Sequence, residues 1–248
     1  MTKIENSIEL IKKHEPPEGY HLAFSGGKDS ICILKLAKMA GVKFTAYFYM
    51  TTLDPPEVLS FIRKFYPEVN ILRPKISMFK LIEKKGLPIR QKRFCCQYLK
   101  EIHGHGEIVM QGIRKDESVK RSKRKEFEID RKDKTKRFLN PIFSWSKNDV
   151  WNFIYSNKLP FPEIYLSCKN RIGCVACPMN PTAAAADLEN YPRYKKAFLK
   201  AIRKRMDAGG MKIFESPEEA IEWWVSGLSV KSFRESKKQI KMDFTTQK

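Results

Sequence analysis

The sequence predicts an α/β protein: a mostly parallel sheet of five strands with helices on both faces, plus a helical C-terminal extension. Three observations predict it. Short apolar runs rich in β-branched and aromatic residues alternate with segments of helical spacing. One such run passes through a glycine turn directly into a helical pattern, within residues 20–40. Beyond residue 180 the strand-like runs stop and the spacing is helical. The expected division is a main domain over 1–180 and an extension over 181–248.

The elements follow in order. Ile4, Ile8 and Ile11 mark a first helix, which Pro16, Pro17 and Gly19 end. Residues 20–24 read as a short buried strand. A helix over 30–40 carries Ile31, Ile33, Leu34, Leu36 and Ala37, with Gly41 as its stop. Residues 42–50 form an aromatic second strand, and Pro55-Pro56 opens a helix running to about 65. A third strand is expected at 69–72, and Ser77 caps a helix ending near Gly86. A fourth strand is expected at 107–111 and a fifth at 138–142. Residues 120–137, dense in Lys and Arg, read as a mobile loop.

The 248 residues carry 48 Lys and Arg against 28 Asp and Glu, a formal charge of +20. That surplus favours anionic partners, nucleotides or nucleic acid. A solvated lysine-rich surface is the plain alternative. No apolar run approaches the ~18 residues of a membrane span, and residues 1–6 lack a signal-peptide core. The expected location is the cytoplasm. There, six cysteines point to metal or redox chemistry rather than disulfides.

Ser25-Gly26-Gly27-Lys28-Asp29-Ser30 lies between strand and helix. Ligands of α/β sheets bind beyond the carboxyl ends of strands. Glycines let the backbone approach an anion, and the next helix offers unpaired N–H groups. Ser25 and Ser30 add hydroxyls, and Lys28 adds a full charge. The spacing is too short for G-x-x-x-x-G-K-[ST] and differs from G-x-G-x-x-G.

These residues resemble the signature of the PP-loop ATP pyrophosphatases. Within that superfamily the chain is most similar to the phosphoadenosine phosphosulfate (PAPS) reductase family, over residues 20–178. The motifs that carry the resemblance stand in family order: TTLDPPE from Thr51, RFCC from Arg93, GIRKDES from Gly112, NPI from Asn140 and GCVACP from Gly173. The resemblance implies a Rossmann-like, HUP-type sheet with an adenine nucleotide across its carboxyl edge. Ser25 to Ser30 would hold phosphates or a sulfate, and Tyr49 and Met50 would lie near the adenine. Arg114 and Arg121 would reach the anionic tail, where a guanidinium fork binds oxygens in pairs. For Arg114, an ion pair with Asp116 or Glu117 is the alternative.

Cys95-Cys96 and Cys174-x-x-Cys177 supply four thiolates, enough for a tetrahedral metal site or an iron–sulfur cluster. In the similar assimilatory adenylyl-sulfate reductases such a set binds a [4Fe–4S] cluster, which is therefore the expected cofactor. Zinc and plain buried thiols are the alternatives. Cys168 reads as a packed cysteine, with a ligand or free-thiol role as the alternative, and Cys32 as core.

Sulfonucleotide reductases of this family carry a catalytic cysteine in a C-terminal Glu-Cys-Gly-(Leu/Ile)-His tail, and here the last cysteine is Cys177. The usual covalent route needs that thiolate. The resemblance then favours relatives that use ATP to activate an acceptor for sulfur insertion, nucleic acid among them. Lys28 would act electrostatically and Asp29 would hold the loop or Mg²⁺. Two other readings stay open. One is a PAPS or adenylyl-sulfate reductase using a thiol from elsewhere. The other is a non-catalytic nucleotide-binding iron–sulfur subunit or sensor. A sulfur-donor or reductant protein is the expected protein partner. The four histidines form no recognisable catalytic set, and His103-Gly104-His105 reads as a turn. Trp223 and Trp224 read as packing for the tail helices.

Overall fold

A computed structural model describes residues 1–167 and 171–246, so Cys168 lies outside the described residues. The chain starts with α1 (Lys3–Lys13), β1 (Tyr20–Ala23), α2 (Lys28–Ala40), β2 (Phe44–Tyr49), α3 (Pro56–Phe65) and β3 (Asn70–Leu72). It continues through α4 (Met78–Lys85), α5 (Phe94–Leu99), β4 (Ile108–Met110), α6 (Val119–Ser122), β5 (Phe127–Ile129) and β6 (Arg137–Leu139). The remaining helices are α7 (Lys147–Ser156), α8 (Pro181–Asn190), α9 (Pro192–Asp207), α10 (Pro217–Ser226) and α11 (Val230–Thr246).

Local chemistry fixes the boundaries. Thr2 and Glu5 close a capping box on α1, and Ser146 and Asp149 do the same for α7. Ser77 Oγ accepts from Lys80 N at 3.2 Å, as the cap expected there requires. Gly41 ends α2 in the left-handed conformation at φ 71°.

Two compact units result. The first comprises Met1–Met50, Asp54–Pro74 and Lys100–Ile172. The second comprises Thr51–Leu53, Lys75–Leu99 and Gly173–Lys248.

The first unit holds a sheet in the order β3-β2-β1-β4-β6-β5. All pairs are parallel except β5 with β6. That is one strand more than the expected five. The extra strand, β5, lies within the basic stretch 120–137, which is therefore not a loop throughout. Its Phe127, Glu128 and Ile129 pair antiparallel with Leu139, Phe138 and Arg137. Arg124 and Arg121 of this stretch are ion-paired with Glu128 and Glu117. The core collects alternate strand residues: Tyr20, Leu22 and Phe24 of the β1 segment, Ala46 and Phe48 of β2, Ile108 and Met110 of β4, and Leu139 of β6. Ile11, Ile31, Leu34, Ile62, Val150 and Ile154 pack on them from α1, α2, α3 and α7. Strand alternation turns His21, Ala23, Tyr47, Tyr49 and Val109 to the opposite face. Cys32 is fully buried in this core, as expected.

The second unit is helical, and its tail is helical as expected. Its core joins Met78, Leu81 and Ile82 of α4 to Phe198 and Ile202 of α9 and Ile221 and Trp224 of α10. The Trp224 indole donates to Pro88 O at 2.6 Å, and the Trp223 ring lies 5.0 Å from that of Phe214. Both tryptophans are packing residues. Among the described residues no helix is long and apolar enough to cross a membrane.

Candidate functional site

The sheet order reverses between β1 and β4, which makes the crevice at their carboxyl ends the switch point of the first unit. The 24–27 turn leaves β1 there. Gly26 stands at φ +72°, and a Cβ on it would lie 2.9 Å from Val58 Cγ1 and 3.1 Å from Ile62 Cδ1. Only glycine meets both demands. Gly27 caps α2 without a side-chain hydrogen bond. The turn is held by its own hydroxyls. Ser30 Oγ donates to Gly27 O at 2.7 Å, and Ser25 Oγ donates to Ser30 Oγ at 3.2 Å.

Lys28 is buried, with 6% of its side chain exposed, and its Nζ lies 3.0 Å from Asp29 Oδ2. Asp29 Oδ1 accepts from Arg114 Nε at 2.7 Å. Arg114 Nη1 bonds to the Asp116 carboxylate and, at 3.5 Å, to Trp145 O. Burial works against the Arg114 charge, but Asp29, Asp116 and Glu117 outweigh it and hold its pKa above the usual value. The result is a Lys28–Asp29–Arg114–Asp116 chain of alternating charge at the first turn of α2, with the two cations buried and the Asp116 end open to solvent. The structure thus brings Arg114 to the glycine turn. Asp116 is one of the two carboxylates the sequence offers it; the guanidinium is buried, while the Asp116 side chain stays 40% exposed.

Several members were not singled out from the sequence. Tyr165 Oη accepts from Lys28 N at 3.0 Å, and the Lys28 Nζ lies 5.7 Å from the centre of its ring. Burial pushes the Tyr165 phenol pKa up, so the hydroxyl stays protonated. Gly112 lets the loop after β4 touch α2, since a Cβ there would lie 2.9 Å from the Asp29 carbonyl carbon. The visible signal was a glycine just past a strand; Tyr165, 135 or more residues from the turn, left none.

The other expected nucleotide residues lie elsewhere in the first unit. Tyr49 ends β2 with its ring stacked on His103 at 4.6 Å and its hydroxyl bonded to His21 Nε2. His21 Nδ1 lies 2.7 Å from Glu107 Oε2. Burial lowers the His21 pKa, only partly opposed by Glu107. His103 belongs to the expected turn, with Gly104 at φ +77°. Met50 packs against the core, and its N–H donates to Leu72 O at 2.9 Å. Arg121 bonds to Glu117, which also accepts from Arg114 N at 3.0 Å.

In the second unit the cysteine motifs converge. The Cys95 thiol pKa is pushed up, first by its hydrogen bond with Cys96, then by burial, then by the charges of Cys96, Cys174 and Cys177. All four sulfurs therefore share one neighbourhood. The Cys174–Cys177 turn is shaped by Ala176, a non-glycine residue at φ 53° whose N–H donates to Asp187 Oδ2 at 3.1 Å. Val175 N donates to Leu53 O at 2.7 Å, and Cys174 Sγ lies 3.4 Å from Thr51 Oγ1. Among the described residues no group of three or more His, Cys, Asp or Glu has the geometry to hold a metal ion. The donor chemistry, four soft sulfurs, fits iron–sulfur or zinc.

The fold and the glycine turn define a PP-loop protein of the HUP-type α/β class. Residues 19–180 match the phosphoadenosine phosphosulfate reductase domain, and the chain belongs to that family. An uncharacterized protein of Methanocaldococcus jannaschii is 30% identical over 216 residues, 81% of this chain and 42% of that protein. An adenosine 5′-phosphosulfate reductase of Oceanobacillus iheyensis is 28% identical over 157 residues, 58% of this chain and 63% of that protein. The chain spans about half the length of the curated relatives it matches. In fold it is similar to the phosphate complex of a PAPS reductase from Candida auris. The TM-score is 0.53 at 18% identity, over 68% of this chain and 88% of that one. A Candida glabrata FMN adenylyltransferase with FAD and inorganic pyrophosphate gives 0.51 at 15% identity, over 70% and 62%.

Proposed function

We propose that the chain binds an adenine nucleotide at the Ser25–Ser30 turn and uses ATP to activate an acceptor for sulfur transfer. The observation that carries this reading is the turn itself. A left-handed Gly26, an α2 N-terminus whose N-cap Gly27 brings no capping side chain and a buried Lys28 together suit a polyphosphate. Membership of the PAPS reductase domain family agrees with it. In the reaction an acceptor oxygen attacks the α-phosphorus and a new P–O bond forms. The bond to the bridging oxygen breaks, pyrophosphate leaves with its electron pair, and the acceptor's proton passes to solvent. Lys28 stabilises the leaving charge, and Mg²⁺, where bound, would supply a further cation there. Asp29, gripped by Arg114 and Lys28, serves chiefly to hold the turn.

Cys95, Cys96, Cys174 and Cys177 would hold a [4Fe–4S] cluster, which when bound supplies redox or sulfur-binding chemistry. The shared neighbourhood of the four sulfurs supports this assignment. The +20 charge supports a nucleic acid as acceptor. A sulfur-donor or reductant protein completes the set of partners, and the cytoplasm is the proposed compartment.

Pyrophosphate release from ATP, measured with and without added RNA or DNA, tests the reading. Release that depends on nucleic acid supports it, and none across a broad set of acceptors would leave a nucleotide-binding subunit or sensor. A second reading, sulfonucleotide reduction with a thiol from elsewhere, is favoured by the match to adenosine 5′-phosphosulfate reductases. Sulfite release from adenylyl sulfate or PAPS with an added thiol would select it. Cys32 is a poor candidate for that thiol, because burial pushes its pKa up and its Sγ faces Val150 O.

A further inference from the structure

Two buried amide groups, one just past β4 at the switch point and one just past the neighbouring β6, have hydrogen-bonding capacity unspent among the described residues. Met110 of β4 is in register with Leu139 of β6. Gln111 N donates to Leu139 O at 2.9 Å, so the ladder and its alternation extend one residue further. Gln111 and Asn140 are therefore neighbours across the two strands, on the face opposite the core. Gln111 Nε2 and Asn140 Oδ1 are both buried, and neither has a partner among the described residues. The Asn140 amide orientation is fixed, because its Nδ2 donates to Lys125 O at 2.6 Å and faces Glu128 Oε1 at 3.4 Å. Asn140 is fully buried.

An orphaned buried donor or acceptor is costly, so such a group in a folded protein calls for a partner. Here one donor and one acceptor sit on neighbouring strand positions of one sheet face. An anion would satisfy the donor and repel the acceptor. A hydroxyl satisfies both, accepting from one amide and donating to the other. The residue after Gln111 is Gly112, whose backbone touches Asp29 on the first turn of α2. A nucleotide whose phosphates sit on that turn has its sugar within reach of β4.

We propose that Gln111 and Asn140 read a ribose hydroxyl of the bound nucleotide, which makes Gln111 a specificity-determining residue. This rests on the nucleotide reading given above. Binding of ATP, 2′-deoxy-ATP and 3′-deoxy-ATP by calorimetry tests it, in the wild type and in the Gln111→Leu, Gln111→Glu and Lys28→Ala variants. The wild type should bind ATP about tenfold or more tightly than one of the two deoxy analogues, since a site built around a hydroxyl rejects the ligand that lacks it. Gln111→Leu should cut that ratio to about twofold or less, chiefly by weakening ATP. Gln111→Glu, which cannot donate when ionised, should do the same. Lys28→Ala should weaken all three ligands and keep the ratio.

Equal affinities for all three in the wild type would overturn the proposal, as would a ratio unchanged in Gln111→Leu; a buried water or mutual pairing of the amides would then account for them. If the wild type binds none of the three, the nucleotide reading falls and takes this one with it. Binding without discrimination sinks only the ribose assignment.

Discussion

Arg114 Nε stands 2.7 Å from Asp29 Oδ1, which ties the loop after β4 to the first turn of α2. The pair carries little solvent, with 5% of the Arg114 side chain and 18% of the Asp29 side chain exposed. It aligns the two segments that flank the switch point, and Gly112 lets them meet.

Removing one partner of such a pair strands the other. Arg114→Ala is expected to destabilise the protein by about 3 kcal/mol, read as a lower midpoint in urea unfolding. Arg114→Lys keeps the charge but loses the fork to Asp29 and Asp116, so it should recover only part of that loss. A full recovery would mean that charge alone is what the site needs.

Gly26 and Gly41 share a left-handed backbone but not their surroundings. Among the described residues Gly41 has nothing within 4 Å of an added Cβ, whereas Gly26 has Val58 and Ile62 at 2.9–3.1 Å. Gly41→Ala should therefore cost only backbone strain, about 1 kcal/mol. Gly26→Ala adds overpacking against α3 and should cost at least about 1 kcal/mol more. Thermal unfolding of the two variants side by side measures the difference. Equal losses would remove α3 as the wall of the turn.

For the cysteines, anaerobically isolated protein is expected to hold about four irons per chain, as a [4Fe–4S] cluster requires. Cys95→Ser and Cys177→Ser should each lower the iron content, while Cys32→Ala leaves it unchanged. One zinc and no iron in the wild type would replace the cluster with a metal ion.

His21 sets a pH dependence. Burial lowers its pKa in the fold below the ordinary 6.5. Below that ordinary value the unfolded chain takes up the proton first, so stability should fall as pH drops through 6.5. The Tm loss between pH 7.5 and pH 5.5 (roughly a unit either side of the ordinary histidine value) should be smaller in His21→Gln than in the wild type. His103 is lowered too, by burial and by His21, so His103→Gln should reduce the loss as well. An unchanged slope in both variants would sink the assignment.

Much of the fold was legible because its signals are local. Gly41, Ser77 and the Pro55-Pro56 pair mark helix ends by their own backbone preferences, and the apolar spacing of residues 31–37 marks the buried face of α2. The glycine turn was legible for the same reason. What escaped has weaker local signals. The three residues of β5 sit among charges, and only pairing with β6 makes them a strand. The Ser146-x-x-Asp149 box that opens α7 is a local signal outside the elements expected from the apolar spacing.

The sequence by itself determined the α/β alternation, the phosphate-type turn, the two cysteine motifs and the helical tail, since each is written within a few consecutive residues. Tertiary structure alone decided which distant residues meet. It closed Arg114 onto Asp29, set the Tyr165 hydroxyl on the Lys28 amide, gathered four cysteines from segments nearly eighty residues apart in the chain, and left Gln111 and Asn140 adjacent with unspent hydrogen bonds. These contacts depend on strand order and register, which are set by burying one face of each strand together and not by any local propensity.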